Sequence, residues 1–165
     1  MTSEAAAATQ IAERFGFDAH NCFACGTLNS HGLGLQLHVD GEHCWTDLVI
    51  PDRFQGWNGI AHGGIVSTLL DEVMAWSLVD HDTWGVTARL AVAFKRPVPL
   101  GRPVHAEGWV VESHRRTFKT AGRVVDATDG SVLATADATY VAAPEERKRE
   151  LKRSYGFRGP ATRRS

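Results

Sequence analysis

The sequence has no apolar run near the roughly 18–20 residues of a membrane span. It also lacks a positively charged start followed by a long apolar stretch, since Ala5 to Ala8 is too short for a signal peptide. Cysteine is scarce: Cys22, Cys25 and Cys44. An odd count without a disulfide framework points to a reducing compartment. Net charge is nearly absent, at −1 over 165 residues. Residues 145–165 hold eight basic and three acidic side chains, so the body is net acidic, which argues against a body that grips nucleic acid. There is no internal repeat, and no low-complexity segment beyond that tail. The expectation is a soluble cytoplasmic protein with no membrane and no nucleic-acid partner. What is present is a hydrophobic content of 43%, enough for a real core in a chain the length of one domain.

The hydrophobic pattern changes period along the chain. Residues 1–17 read as an N-terminal extension, and 18–34, rich in Gly, Asn and Cys, as an ordered loop. "LGLQLHV" and "CWTDLVI" alternate around Asp40-Gly41 as a hairpin. "PDRFQGWNGIAHGG" is a loop. Ile65 to about Val79 is apolar on nearly every face, which predicts a buried helix. Then "GVTARLAVAF", "VHAEGWVVES", "FKTAGRVVDAT" and "SVLATADATYV" each alternate as strands. The last three are joined by hairpin-length connections and are expected to form an antiparallel meander. Residues 144–165 read as a charged surface helix and a mobile tail. The fold class is α+β: about six antiparallel strands curled around one long buried helix, over residues 18–143.

The chemistry concentrates at "HGGIVSTLLDE", His62 to Glu72. Gly63 and Gly64 open the helix, where the first N–H groups lack intrahelical partners and sit at the positive dipole end. Without side chains, they let a ligand carbonyl approach and can hold a developing oxyanion. Asp71 is a carboxylate in an otherwise core-like helix, too far along to cap its start. Glu72 points about 100° away from it, and spacing alone does not choose between the two.

His62, Gly63, Gly64 and Asp71 form an H-G-G-x6-D pattern that resembles the hotdog-fold acyl-CoA thioesterases, in the PaaI-type and thioesterase-superfamily subgroup. "VTARLAVAFKRPVPLG" looks like the family's central strand, and "CFACGTLNSHGLGL" is similar to a segment ahead of the core in bacterial relatives. The resemblance covers about residues 20–142. It implies Asp71 as the catalytic carboxylate, acting as general base or nucleophile. The Gly63 N–H, with Gly64, would polarise the thioester carbonyl, and His62 would help to hold the thioester or the loop. Thr87 would assist the water or the carboxylate from the opposite subunit of a homodimer, alone or paired into a tetramer. Some members place an Asn in the loop before the His; their spacing falls on Gly56 here, and Asn58 is the nearby residue of that type. The ligand the resemblance implies is an acyl-CoA, and it implies no separate cofactor because CoA is part of the substrate.

A CoA site needs cations at its mouth. Lys95 and Arg116 stand where relatives carry basic residues, and they are the expected phosphate contacts. Trp57, just before His62, is a candidate lining of the acyl pocket. Cys22-x-x-Cys25 with His20 is half of a metal site. Closing it for zinc takes four ligands, from His31, His43 or Cys44, so the cysteines are read as packed in a loop and no metal is assigned. The alternative function is a non-catalytic acyl-CoA-binding module on the same fold. A hydratase needs an Asp/His pair that the spacing does not supply.

Overall fold

The computed structural model describes residues 9–159. Seven strands form one antiparallel sheet: β1 (Thr9–Gln10), β2 (His38–Asp40), β3 (His43–Val49), β4 (Gly85–Phe94), β5 (Pro103–His114), β6 (Thr117–Asp126) and β7 (Val132–Ala142). Their spatial order is β1-β2-β3-β5-β6-β7-β4. Three helices accompany them: α1 (Ile11–Phe15), α2 (Gly63–Trp76) and α3 (Glu145–Ser154). No described helix is long and apolar enough to cross a membrane.

Strict alternation makes the sheet two-faced. On β6, Phe118, Thr120, Gly122, Val124 and Asp126 are buried while their neighbours are more open. The inner face receives α2 through Val66, Leu69, Leu70, Val73 and Met74, a single stripe at helical spacing. The expected helix is therefore present but is not buried all round; its other flank is only half-covered in one chain. Contact with the sheet is backbone to backbone at Gly108, where a Cβ would sit 2.7 Å from the Met74 nitrogen.

Four expectations change. Residues 33–37 are irregular rather than strand, and the hairpin proper is β2–β3. The N-terminal extension contributes a seventh strand, and α1 buries Ile11 and Phe15 in the core. The strand expected at the centre, β4, is an edge: among the described residues it pairs only with β7. The tail beyond α3 is docked through Phe157, whose ring stacks on Phe15 at 5.7 Å, while residues 160–165 lie outside the described residues. The large apolar ring is what holds the chain end down.

His62 is the N-cap of α2. Its backbone is extended, and its Nδ1 accepts the Gly64 N–H at 2.9 Å. The neutral ring must then carry its proton on Nε2. The His62 carbonyl takes the N–H groups of Ile65 and Val66.

Two outcomes follow for stability. Gly108→Ala forces the helix and sheet backbones apart and is expected to cost about 1–3 kcal/mol, measured by urea unfolding. His62→Ala removes the cap and is expected to cost about 0.5–2 kcal/mol, whereas His62→Asn, which caps equally well, restores most of it.

Candidate active site

Asp71 lies on the flank of α2 that meets β4 and β7. Thr87 Oγ1 on β4 donates to Asp71 Oδ1 at 2.9 Å. The Tyr140 hydroxyl on β7 lies 2.8 Å from the same oxygen and 2.9 Å from the Asp71 main-chain carbonyl. Thr87 and Tyr140 are direct cross-strand partners. Immediately after Thr87 the register slips and Ala88 is left unpaired, a bulge of the kind that re-aims side chains. Burial, and then the Asp71 charge beside it, pushes the Tyr140 phenol far above its usual range. It remains a neutral donor throughout ordinary pH. The two hydroxyls satisfy one carboxylate oxygen.

The structure therefore joins Thr87 to Asp71 within one chain. The expectation that Thr87 reaches Asp71 from an opposite subunit is corrected, because the β4–β7 pairing already brings it to α2 of its own chain. Tyr140 was missed in the sequence. Its signal was available: Ala134, Ala136, Ala138 and Tyr140 occupy the buried positions of β7, and a buried phenol needs a partner.

Gly63 sits elsewhere. With the Gly64 N–H taken by His62, the Gly63 N–H is the donor at the helix start that has no acceptor among the described residues. It opens on a shallow groove lined by Trp57, Phe94, Lys95 and Arg96. Trp57 is 83% exposed. Gly63 and Asp71 are eight residues apart on one straight helix, about 12 Å along its axis. The single chain does not bring them together. Arg116 stands at the far end of β4 from Lys95, donating to the Ala142 carbonyl at 2.8 Å, so these two cations do not share a groove in one chain. Asn58 is exposed in the turn between Trp57 and Ile60, outside the groove lining.

Glu72 faces the other flank, toward the 18–34 loop. Trp76 Nε1 donates to its Oε1 at 2.9 Å, and Cys22 Sγ lies 3.9 Å from the same oxygen. Burial pushes the Glu72 carboxyl up to about 7; the Cys22 charge adds to this, and hydrogen bonds from Cys25 and Trp76 oppose it. The Cys22 thiol is drawn down to about 5, chiefly by a hydrogen bond from the Cys25 thiol, with backbone N–H groups of Cys25 and Ala24 helping. Cys25 is raised, by that same bond first and by burial second. His31, His43 and Cys44 do not join the pair. His31 is exposed, His43 binds Glu107 at 2.7 Å, and Cys44 is sealed in the core.

Residues 58–133 match the sequence profile described as the thioesterase superfamily. No curated protein matches the chain. Similar crystal structures include a thioesterase superfamily protein at 27% identity and TM-score 0.68. That match covers 73% of this chain, and this chain spans only 60% of that protein's length. The E. coli PaaI protein from the phenylacetic acid degradation operon is similar at 17% identity and TM-score 0.64, over 68% of this chain and 81% of its own. A hypothetical thioesterase from Streptococcus pneumoniae, crystallised with coenzyme A, is similar at 18% identity and TM-score 0.61, covering 66% and 84%. It was also crystallised as an Asp-to-Ala variant and a Thr-to-Ala variant, at positions sixteen residues apart. With the curled antiparallel sheet closed on a single long helix, these findings identify a hotdog fold. The chain therefore has a hotdog fold, and over residues 58–133 it is similar to the thioesterase superfamily.

Proposed function

We propose that the protein hydrolyses an acyl-CoA thioester, with Asp71 as the catalytic carboxylate and the Gly63 N–H as the oxyanion donor. The observation that carries this reading is the Asp71 carboxylate held on one oxygen by Thr87 and Tyr140. Its second oxygen is left to activate water or to attack the thioester carbon. The sixteen-residue separation of Asp71 and Thr87 equals that of the Asp and Thr replaced in the streptococcal thioesterase. Coenzyme A bound to that protein supports the choice of carrier.

The roughly 12 Å between Gly63 and Asp71 exceeds what a carbonyl and one water span. The reading is therefore a site shared by two chains, with Gly63, Lys95 and Trp57 from one and Asp71, Thr87 and Tyr140 from the other. The exposed edge of β4 supports such a homodimer. It is a ten-residue strand with Val86 69% and Phe94 53% exposed, and an unpaired apolar edge of that length invites a second strand. In the dimer, Arg116 of one chain would join Lys95 of the other in holding the CoA phosphates.

Asp71→Asn is expected to lower kcat on acyl-CoA by at least ~10²-fold with the fold intact. Gly63→Pro removes only the donor, since proline fits the first helical position. Mixing these two inactive variants tests the shared site. A site split between chains regenerates one intact centre per mixed dimer, or about a quarter of wild-type activity; a site within one chain regenerates none. Lys95→Ala and Arg116→Ala are expected to raise KM for acyl-CoA several-fold more than they change kcat. Acyl-CoA binding without thiol release by the wild type, across all chain lengths, would favour the non-catalytic binding module.

A further inference from the structure

The neighbouring flank of α2, about 100° round from Asp71, holds a cluster that thioester hydrolysis does not use. The Cys22 and Cys25 thiols and a Glu72 carboxylate oxygen lie within 4.8 Å of one another. They come from segments about fifty residues apart, so local sequence does not explain their meeting. The turn that presents them is built for it. The Gly26 N–H donates to the Cys22 carbonyl at 2.9 Å, and the Cys22 N–H donates to His20 Nδ1 at 3.3 Å. A Cβ on Gly26 would sit 2.4 Å from the Cys22 nitrogen and 2.5 Å from the His20 carbonyl oxygen, so the chain can fold this tightly only with glycine there. Trp76 Nε1 fixes Glu72 Oε1, the kind of outer hydrogen bond that orients a ligating carboxylate.

We propose that Cys22, Cys25 and Glu72 bind a divalent transition metal of the zinc class, with a fourth position open to the adjoining cavity. Zinc takes sulfur at about 2.3 Å and carboxylate oxygen at about 2.0–2.2 Å in a tetrahedron. The Cys22 Sγ to Glu72 Oε1 spacing of 3.9 Å needs only a small closure to meet that geometry. Two thiolates with one carboxylate select zinc-like ions over magnesium or calcium, which prefer oxygen alone. Cys22 enters as a thiolate, and Cys25 releases its proton to solvent as the metal binds. The open position faces a cavity of about 230 Å³ walled by Phe17, Trp76, Trp84 and Tyr155. A water or a small donor molecule completes the shell from there. The bound ion ties the 18–34 loop to α2 one residue from Asp71.

The test uses the full chain, reduced and stripped of metal by a chelator. Titration with Co²⁺ is expected to produce thiolate-to-cobalt charge-transfer absorption that saturates at about one ion per chain and is displaced by Zn²⁺. Cys22→Ser and Cys25→Ser should each abolish the band. Glu72→Gln should weaken Zn²⁺ by at least ~10-fold, and Cys44→Ala should leave binding unchanged. Because a cysteine variant can fail to fold, the wild type is also probed with a thiol-alkylating reagent and peptide mass mapping. Zn²⁺ is expected to slow modification of Cys22 at least ~10-fold. The proposal is overturned if reduced wild-type protein gives no charge-transfer band, if the band survives in both cysteine variants, or if Zn²⁺ leaves the modification rate of Cys22 unchanged.

Discussion

Helix α2 and the sheet approach so closely at Gly108 that no side chain fits between them, and this contact sets every direction in the molecule. With the backbones in contact, the helix cannot roll. Val66, Leu69, Leu70, Val73 and Met74 occupy the stripe against the sheet, and what remains is forced onto the flanks. Asp71 goes to the β4–β7 side. A carboxylate held among apolar groups is costly unless it is hydrogen-bonded. The β-sheet answers with two hydroxyls from paired positions on neighbouring strands, Thr87 and Tyr140, and the Ala88 bulge aims the first of them. The polar centre follows from close packing rather than interrupting it.

The same rigidity separates Gly63 from Asp71. A straight helix holds its first N–H and a carboxylate two turns later at a fixed distance, and no side-chain rotation closes about 12 Å. β4 carries the complementary fact: seven of its ten residues are exposed and none is buried, although several are apolar. In the homodimer proposed above, the unfilled strand edge and the separation of Gly63 from Asp71 would both be answered by a second copy related by a two-fold axis. In that proposed dimer Lys95 and Arg116, which stand at opposite ends of β4, would be brought together, since an antiparallel copy joins opposite ends.

Much of this was legible in the sequence because it rests on period. The alternation in "GVTARLAVAF" marked β4 to the residue, and the apolar run after His62 marked α2. The H-G-G-x6-D spacing drew attention to Asp71. What periodicity could not reveal was long-range. Whether Thr87 comes from the same or another chain depends on which strand neighbours which, and β4 pairs with β7 rather than with its successor β5. Residues 33–37 alternate like a strand, but Leu33 and Leu35 donate their N–H groups to the Phe23 and Ala24 carbonyls of the preceding loop rather than to a strand. Phe157 sits in a charged tail, where composition speaks for solvation and a single ring against Phe15 decides otherwise. The Cys22 and Glu72 contact spans about fifty residues and leaves no local pattern at all.

Asp71 and Glu72 are adjacent, yet they serve different environments because consecutive helical positions point about 100° apart. One faces hydroxyls at the strand edge; the other faces sulfur and an indole beneath a loop. The peptide unit between them belongs to a helix that is clamped on the sheet, so a change on the loop side reaches Asp71 only by shifting α2 as a body. The Tyr140 hydroxyl is placed to register such a shift. It contacts both the Asp71 carboxylate and the Asp71 main-chain carbonyl, so its geometry is set jointly by the side chain that would react and by the backbone that carries it. A hydroxyl that grips both links the position of the helix to the orientation of the carboxylate, and Tyr140 also lines the cavity that Cys22, Cys25 and Glu72 border.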